Sequence, residues 1–280
     1  MEKAIKRYFP IFVLPTMIAF TLGFIIPFVE GVYLSFCKFT TVNDAKFIGF
    51  ANYAKVFADE TFVHAFWYTA AFTVVSVILI NVLAFAVALL LTKGFKGTNI
   101  FRTVFFMPNL IGGIVLGYIW QLLLNGILMK FSRTLTYSST YGFWGLIILM
   151  CWQQIGYMMI IYIAGIQNIP GELIEAAEIY GATKWQILKK VTIPMVMPSI
   201  TVCTFLTLTN SFKLFDQNLA LTNGEPSKMS ELLALNIFNT FYGRTGYEGV
   251  GQAKAVIFFI LVTVIALTQN YLTRRKEVQQ

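Results

Sequence analysis

The sequence predicts an all-α integral membrane protein with six transmembrane helices and a short cytoplasmic helical segment between the fourth and fifth. Hydrophobic residues make up 57% of the 280-residue chain and charged residues 12%, with a mean hydropathy of +0.70. That is far more apolar than a soluble domain of this length. Six apolar runs approach or exceed the roughly 17–25 residues that a helix needs to cross a bilayer. They extend from Ile11 to Val29, Phe66 to Leu91, Ile100 to Leu124, Phe143 to Ile166, Met195 to Phe212 and Ala253 to Leu272. The runs are continuous, whereas a transmembrane barrel alternates its two faces over segments of about ten residues, so helices are selected. One domain over 1–280 is expected, with its core at 66–272.

The first run follows a basic start and resembles a secretory signal, but it is long and lacks a small-residue cleavage pattern, so it reads as an uncleaved span. An even number of spans puts both termini on one side. Assigning that side to the cytoplasm places Lys3, Lys6, Arg7, Lys93, Lys96, Arg102, Lys184, Lys189, Lys190, Arg274, Arg275 and Lys276 there, twelve of the 21 basic residues. This has the sign required by the positive-inside rule, so the net charge of +8 reads as membrane topology and not as nucleic-acid binding. Cys37, Cys151 and Cys203 show no paired spacing, which supports neither a disulfide framework nor a zinc site.

Between the first two spans, Gly31 to His64 is rich in aromatic residues, as an interfacial belt would be. His64, the only histidine, reads as a polar anchor. Asn81 lies in the second span, and Pro108, Gly112, Gly113 and Gly117 lie in the third, where small residues allow close helix packing and proline loosens the hydrogen-bond ladder. In the fourth span Gln153 and Tyr157 are spaced i,i+4 on one face with Gln154 at its flank. Two readings are open for these amides, hydrogen bonding between helices or the lining of a polar cavity. The fifth span concentrates Thr201, Thr204, Thr207, Thr209, Asn210 and Ser211, with Thr207 and Ser211 sharing a face. Uncharged hydroxyls and amides suit a neutral polyhydroxylated ligand, and Trp120, Trp152, Tyr157 or Phe212 could stack on its rings. Lys213 and Asp216 follow at i,i+3, a spacing that allows them to neutralise one another, so neither is assigned to the ligand.

The polar island at 168–194 organises the rest. Pro170 and Gly171 open a helix in which Glu172, Glu175 and Glu178 share a face near the N-terminus, where the peptide dipole favours negative charge. Ala176 and Ala177 permit close approach. Gly181 fits the left-handed position after a helix end, Thr183 and Gln186 spell a capping box, and Pro194 is expected to close the second helix. With no nucleophile, metal cluster or phosphate loop, this segment reads as a docking surface.

These residues carry a resemblance. Glu175-Ala176-Ala177, then Gly181 and Ile193-Pro194, are similar to the EAA loop of the membrane subunits of binding-protein-dependent ABC importers. Phe47-x-Gly49-x-x-Asn52-Tyr53, Arg102 to Pro108, and Phe212-Lys213-x-Phe215-Asp216 with Leu221-Thr222-Asn223-Gly224 resemble the carbohydrate-type permeases of that group, over about Phe47 to Gly251. The chain departs from the usual pattern at Tyr180, where aspartate is common, at Tyr68-Thr69 in place of Asn-Thr, and at Glu225 in place of a second glycine. The resemblance implies a type I importer permease in a bacterial plasma membrane. It also implies a second homologous permease, two cytoplasmic ATPase subunits that bind ATP and magnesium, and an extracellular solute-binding protein. Glu175, Ala176, Ala177 and Gly181 would then couple to the ATPase. The chain itself carries no G-x-x-x-x-G-K-[ST] phosphate loop and no expected cofactor or metal. Gln153, Gln154, Tyr157, Thr207, Asn210 and Ser211 are the candidate carbohydrate-binding residues. The rivals are a secondary transporter, for which no carboxylate lies deep in a span, and a permease for another solute such as glycerol phosphate.

Overall fold

The computed structural model describes residues 2–94 and 96–275, and the side chains of all of these except 2–8 and Pro10. Lys276 and the side chains of Lys3, Lys6 and Arg7 lie outside the described residues. Among the described residues five helices are long and apolar enough to cross a membrane, and a sixth span is completed if two helices bent by 69° are taken together. The chain clusters into two compact units, one of Met1–Glu60 with Ile237–Ile260 and the other of Thr61–Asn236 with Leu261–Gln280.

In the first unit, α1 (Ile11–Leu34) leads into a two-stranded antiparallel ribbon of β1 (Cys37–Lys38) and β2 (Lys46–Phe47), followed by α2 (Ala51–Phe57). The buried Asn52 amide pins α2 to the start of the ribbon by donating to the carbonyls of Ser35 at 2.9 Å and Cys37 at 2.8 Å. In the second unit, α3 (Glu60–Leu91) buries Thr69, Thr73, Ser76, Ile80, Ala84 and Ala88. Their spacing of three or four residues is one helical face, and it adjoins a core that includes Met150, Met158, Tyr162 and Leu221.

The third span departs from expectation. The run that begins at Ile100 is not one helix: α4 (Thr98–Phe106) ends in a 3-10 turn at Met107–Leu110, Ile111 and Gly112 are extended, and α5 (Gly113–Leu128) starts afresh. Pro108 has no N–H to give to an α ladder, and Ile111 and Gly112 use the break to re-aim the chain. The spanning helix is therefore Gly113–Phe131. From Ser139–Gln167 (α6) the chain passes into Gly171–Ile179 (α7), then Lys184–Met195 (α8) and Met197–Phe212 (α9). At 1.5 Å per residue, the 16 residues of α9 cover only about 24 Å, short of a hydrocarbon core of about 30 Å. The fifth span reaches that thickness only if α8, bent by 69° from α9, is counted with it.

Pro194 does not close α8, which continues to Met195 before the bend at Val196. The ring of a proline collides with the carbonyl four residues back, here Lys190, and that residue lies in a wider π-helical turn, Leu188–Thr192. The same device occurs in α1, where Pro27 follows the π turn Thr21–Ile25 that contains Gly23. Three further helices follow: α10 (Asp216–Leu221), α11 (Leu233–Gly243) and α12 (Glu248–Arg274).

Candidate functional site

The break in the third span exposes a backbone group that the fourth span uses. Because Ile111 is extended, its carbonyl has no helical partner, and it accepts from Gln153 Nε2 at 3.3 Å. Gln153 is buried, and its Oε1 accepts from Gln217 Nε2 at 2.8 Å. One side chain thereby clasps the α4–α5 junction and the start of α10 to α6. Two glycines of α5 make room for α10. A Cβ at Gly113 would lie 2.7 Å from Asp216 Cβ, and one at Gly117 would lie 2.5 Å from Ala220 Cβ, so the small residues of this span serve close packing.

Beside the clasp is an open polar cleft of about 360 Å³, lined by Gln154, Asn210, Lys213, Leu214, Phe215, Asp216 and Gln217. Asn210 Nδ2 reaches Gln154 Oε1 at 3.4 Å, and among the described residues the amide donors of Gln154 and the side-chain carbonyl of Asn210 make no hydrogen bond. Lys213 and Asp216 are both exposed, and no direct ion pair joins them; they lie on either side of the turn that ends α9 and stand as separate, opposite charges at the cleft. The cleft therefore offers amides, one cation, one anion and the ring of Phe215.

Of the six residues expected here, Gln154 and Asn210 line the cleft, and Gln153 supports it from behind through Gln217. Tyr157 packs its ring against Phe106 at 6.4 Å between centroids and is not in the lining. Thr207 and Ser211 share a face as expected, but that face is turned into the core, where both are fully buried. Ser211 Oγ donates to Thr207 O at 2.7 Å, and Thr207 Oγ1 donates to Cys203 O at 2.7 Å. Thr207 also accepts from Asn81 Nδ2 at 3.3 Å, while Asn81 Oδ1 accepts from Tyr162 at 2.7 Å. These hydroxyls are therefore structural, joining α3, α6 and α9. Nor do Trp120, Trp152 and Phe212 reach the lining: the two indoles pack edge to face on each other and Phe212 is buried. Sequence reasoning missed Gln217 and Phe215, for which the amide run Gln217-Asn218 directly after Phe215-Asp216 was the available signal.

Asn218 holds the loop beyond the cleft. It is fully buried, accepts from Leu232 N at 2.8 Å, and donates to Ser230 O at 2.9 Å and Thr222 Oγ1 at 3.0 Å. This anchoring lets Asn223, Gly224, Ser227 and Lys228 adopt positive φ in one short turn. A second polar centre was not foreseen. Lys254, in the last apolar run, is fully buried and bonds Asp59 Oδ2 at 2.7 Å and Thr240 Oγ1 at 2.8 Å.

The polar segment at 168–194 has the local geometry its sequence spells. At the end of α7, Gly181 has φ +75°. Gly181 N bonds Glu178 O at 2.9 Å and Ala182 N bonds Ala177 O at 3.0 Å, the two bonds of a Schellman cap. Thr183 and Gln186 close the capping box in both directions. Glu172, Glu175, Ala176 and Glu178 are exposed, whereas Ala177 is half-buried. Beside them Ile179, Tyr180 and Trp185 are 84%, 91% and 69% exposed, so the carboxylates are flanked by a large apolar surface.

Residues 80–278 match the family model described as binding-protein-dependent transport system inner membrane component. The chain is 41% identical over 278 residues to the probable starch degradation products transport system permease protein AmyD of Thermoanaerobacterium thermosulfurigenes, covering 96% of this chain and 94% of that one. It is 28% identical to the multiple sugar-binding transport system permease protein MsmF of Streptococcus mutans, over 99% of each. Among solved structures it superposes with TM-score 0.82, at 23% identity and 98% coverage of both chains, on a chain of a bacterial ABC transporter involved in the import of the acidic polysaccharide alginate. A second structure of such a transporter, in complex with an alginate pentasaccharide-bound periplasmic protein, gives 0.81 at 21% identity. At these identities the superpositions establish the shared fold.

Proposed function

The chain belongs to the binding-protein-dependent transport system inner membrane component family, and on that premise we propose that it is a permease subunit moving a carbohydrate through a bacterial plasma membrane. The observation that carries the choice of cargo is the cleft beside Gln153, whose amides and opposed charges on Lys213 and Asp216 give many donors and acceptors with no net countercharge. A polyhydroxylated neutral solute needs that lining. Relatives named for starch degradation products and multiple sugars support the same reading. A phosphorylated cargo is less well served, since the carboxylate of Asp216 shares the cleft with Lys213.

In this reading both termini are cytoplasmic, and an external binding protein releases sugar to a path completed by a second, homologous permease. Gln154 and Asn210 contact the cargo, and Gln153 positions Gln217 beside them. ATP and magnesium are bound by two separate ATPase subunits, which seat on Glu175, Ala176, Ala177 and Gly181. Closure of the ATPases biases one of two helix arrangements, which is how a remote site drives access. The bend at Val196 lies between the docking segment and the cleft-lining end of α9.

The test is uptake of labelled neutral mono- and oligosaccharides by vesicles containing the chain with its partners, with and without internal ATP. Uptake that requires both ATP and the binding protein is expected. Uptake driven by an ion gradient without ATP would overturn the proposal.

A further inference from the structure

A second cleft, of about 510 Å³, opens within the second unit between α9 and the C-terminal end of α12. Its wall is apolar along Val202, Phe205 and Leu206, and its mouth carries Asn270 and Arg274. These two are four residues apart on α12 and so project on one face. Among the described residues Arg274 makes no hydrogen bond or ion pair, although it is followed by an arginine that is engaged: Arg275 donates to the Tyr271 hydroxyl and stacks over its ring at 4.2 Å. An unengaged guanidinium at the last turn of a membrane-spanning helix, above an apolar slot, is complementary to a molecule with an anionic head and a hydrocarbon tail. Basic pockets between spanning helices hold anionic lipid headgroups in this way.

We propose that this cleft is a binding site for one anionic phospholipid, its phosphate on Arg274 and Asn270 and one acyl chain along Val202, Phe205 and Leu206. The bound lipid would brace α9 against α12 within three turns of the bend at Val196.

The experiment is native mass spectrometry of the full-length chain in mild detergent, titrated with phosphatidylglycerol and, separately, with phosphatidylcholine. One phosphatidylglycerol is expected to bind in preference to phosphatidylcholine. Arg274→Gln should weaken it about fivefold, the value of one basic contact at a membrane surface, and Arg275→Gln should leave it unchanged. Phe205→Trp, which narrows the slot without touching the charge, gives a second route to the same loss if the arginine variant folds poorly. Equal binding of the two lipids, or equal loss from Arg274→Gln and Arg275→Gln, would overturn the proposal. So would efficient disulfide capture of Val202→Cys by a second permease subunit in the membrane, since that face would then be covered by protein.

Discussion

Gly156→Ala tests how tightly the broken third span is seated on the fourth. By helix propensity alone the change stabilises α6, because alanine is favoured over glycine by about 0.8–1.0 kcal/mol in a helix interior. The tertiary structure reverses the sign. A Cβ at Gly156 would lie 1.8 Å from Phe105 O, whereas real contacts of this kind do not fall below 3.0 Å, so the carbonyl must retreat by about 1.2 Å (3.0 less 1.8). That oxygen is backbone at the end of α4 and cannot rotate away. Overpacking costs about 1–3 kcal/mol, and a clash with backbone belongs at the upper end. The net is about 2 kcal/mol of destabilisation, or roughly 4–8 °C in the thermal midpoint on the scale of a 150–250-residue domain. The assay is a thermal melt of the purified transporter in detergent, with Gly126→Ala as the control. Gly126 sits in α5 with nothing within 4 Å of its would-be Cβ, so that variant should melt a few degrees higher than the parent. A Gly156→Ala midpoint equal to or above the parent's would refute the packing argument.

Glu175→Lys should insert normally yet lose co-purification with the ATPase and lose uptake; full uptake would remove this residue from the coupling surface. Gln154→Ala and Asn210→Ala should lower uptake while the thermal midpoint stays within a degree or two. Thr207→Val should do the opposite, lowering stability by about 1 kcal/mol through the lost bond to Asn81 with cargo preference unchanged, as read from melts and competition uptake. Asp59→Leu should cost about 3–5 kcal/mol by stranding the buried Lys254, and Asp59→Leu with Lys254→Met should recover part of that loss in denaturant melts. Asp44 accepts from Thr40 N and Thr41 N, and these bonds hold its carboxyl below the usual carboxylate range. A depressed folded-state pKa means stabilisation that is present above the ordinary carboxylate pKa and lost as pH falls through the lowered one. Hydrogen exchange at Thr40 and Thr41, corrected for intrinsic pH dependence, should therefore accelerate only in strongly acidic solution, and Asp44→Ala should remove that step.

The membrane class was legible because it depends on summed hydrophobicity and run length, which need no partner. The local geometry of the 168–194 segment was legible for a related reason. Gly181, Thr183 and Gln186 satisfy backbone groups three to five residues away, so their chemistry is written in local spacing and appears unchanged in the structure. The path of the third span was not legible, since Pro108 and Gly112 are compatible with a kinked helix as well as a broken one. Packing of Gly156 on the Phe105 carbonyl and capture of Ile111 O by Gln153 accompany the break. Helical periodicity placed Thr207 with Ser211 and Gln153 with Tyr157, but it fixes only which residues share a face and is silent on where that face points. Tertiary packing turned Thr207 and Ser211 toward Asn81 and the core, and left Gln154 and Asn210 at the cleft. Lys254 followed the same logic from the other side. A lone lysine in an apolar run gives no sign of its partner, because Asp59 lies 195 residues away and only the fold brings the two charges together.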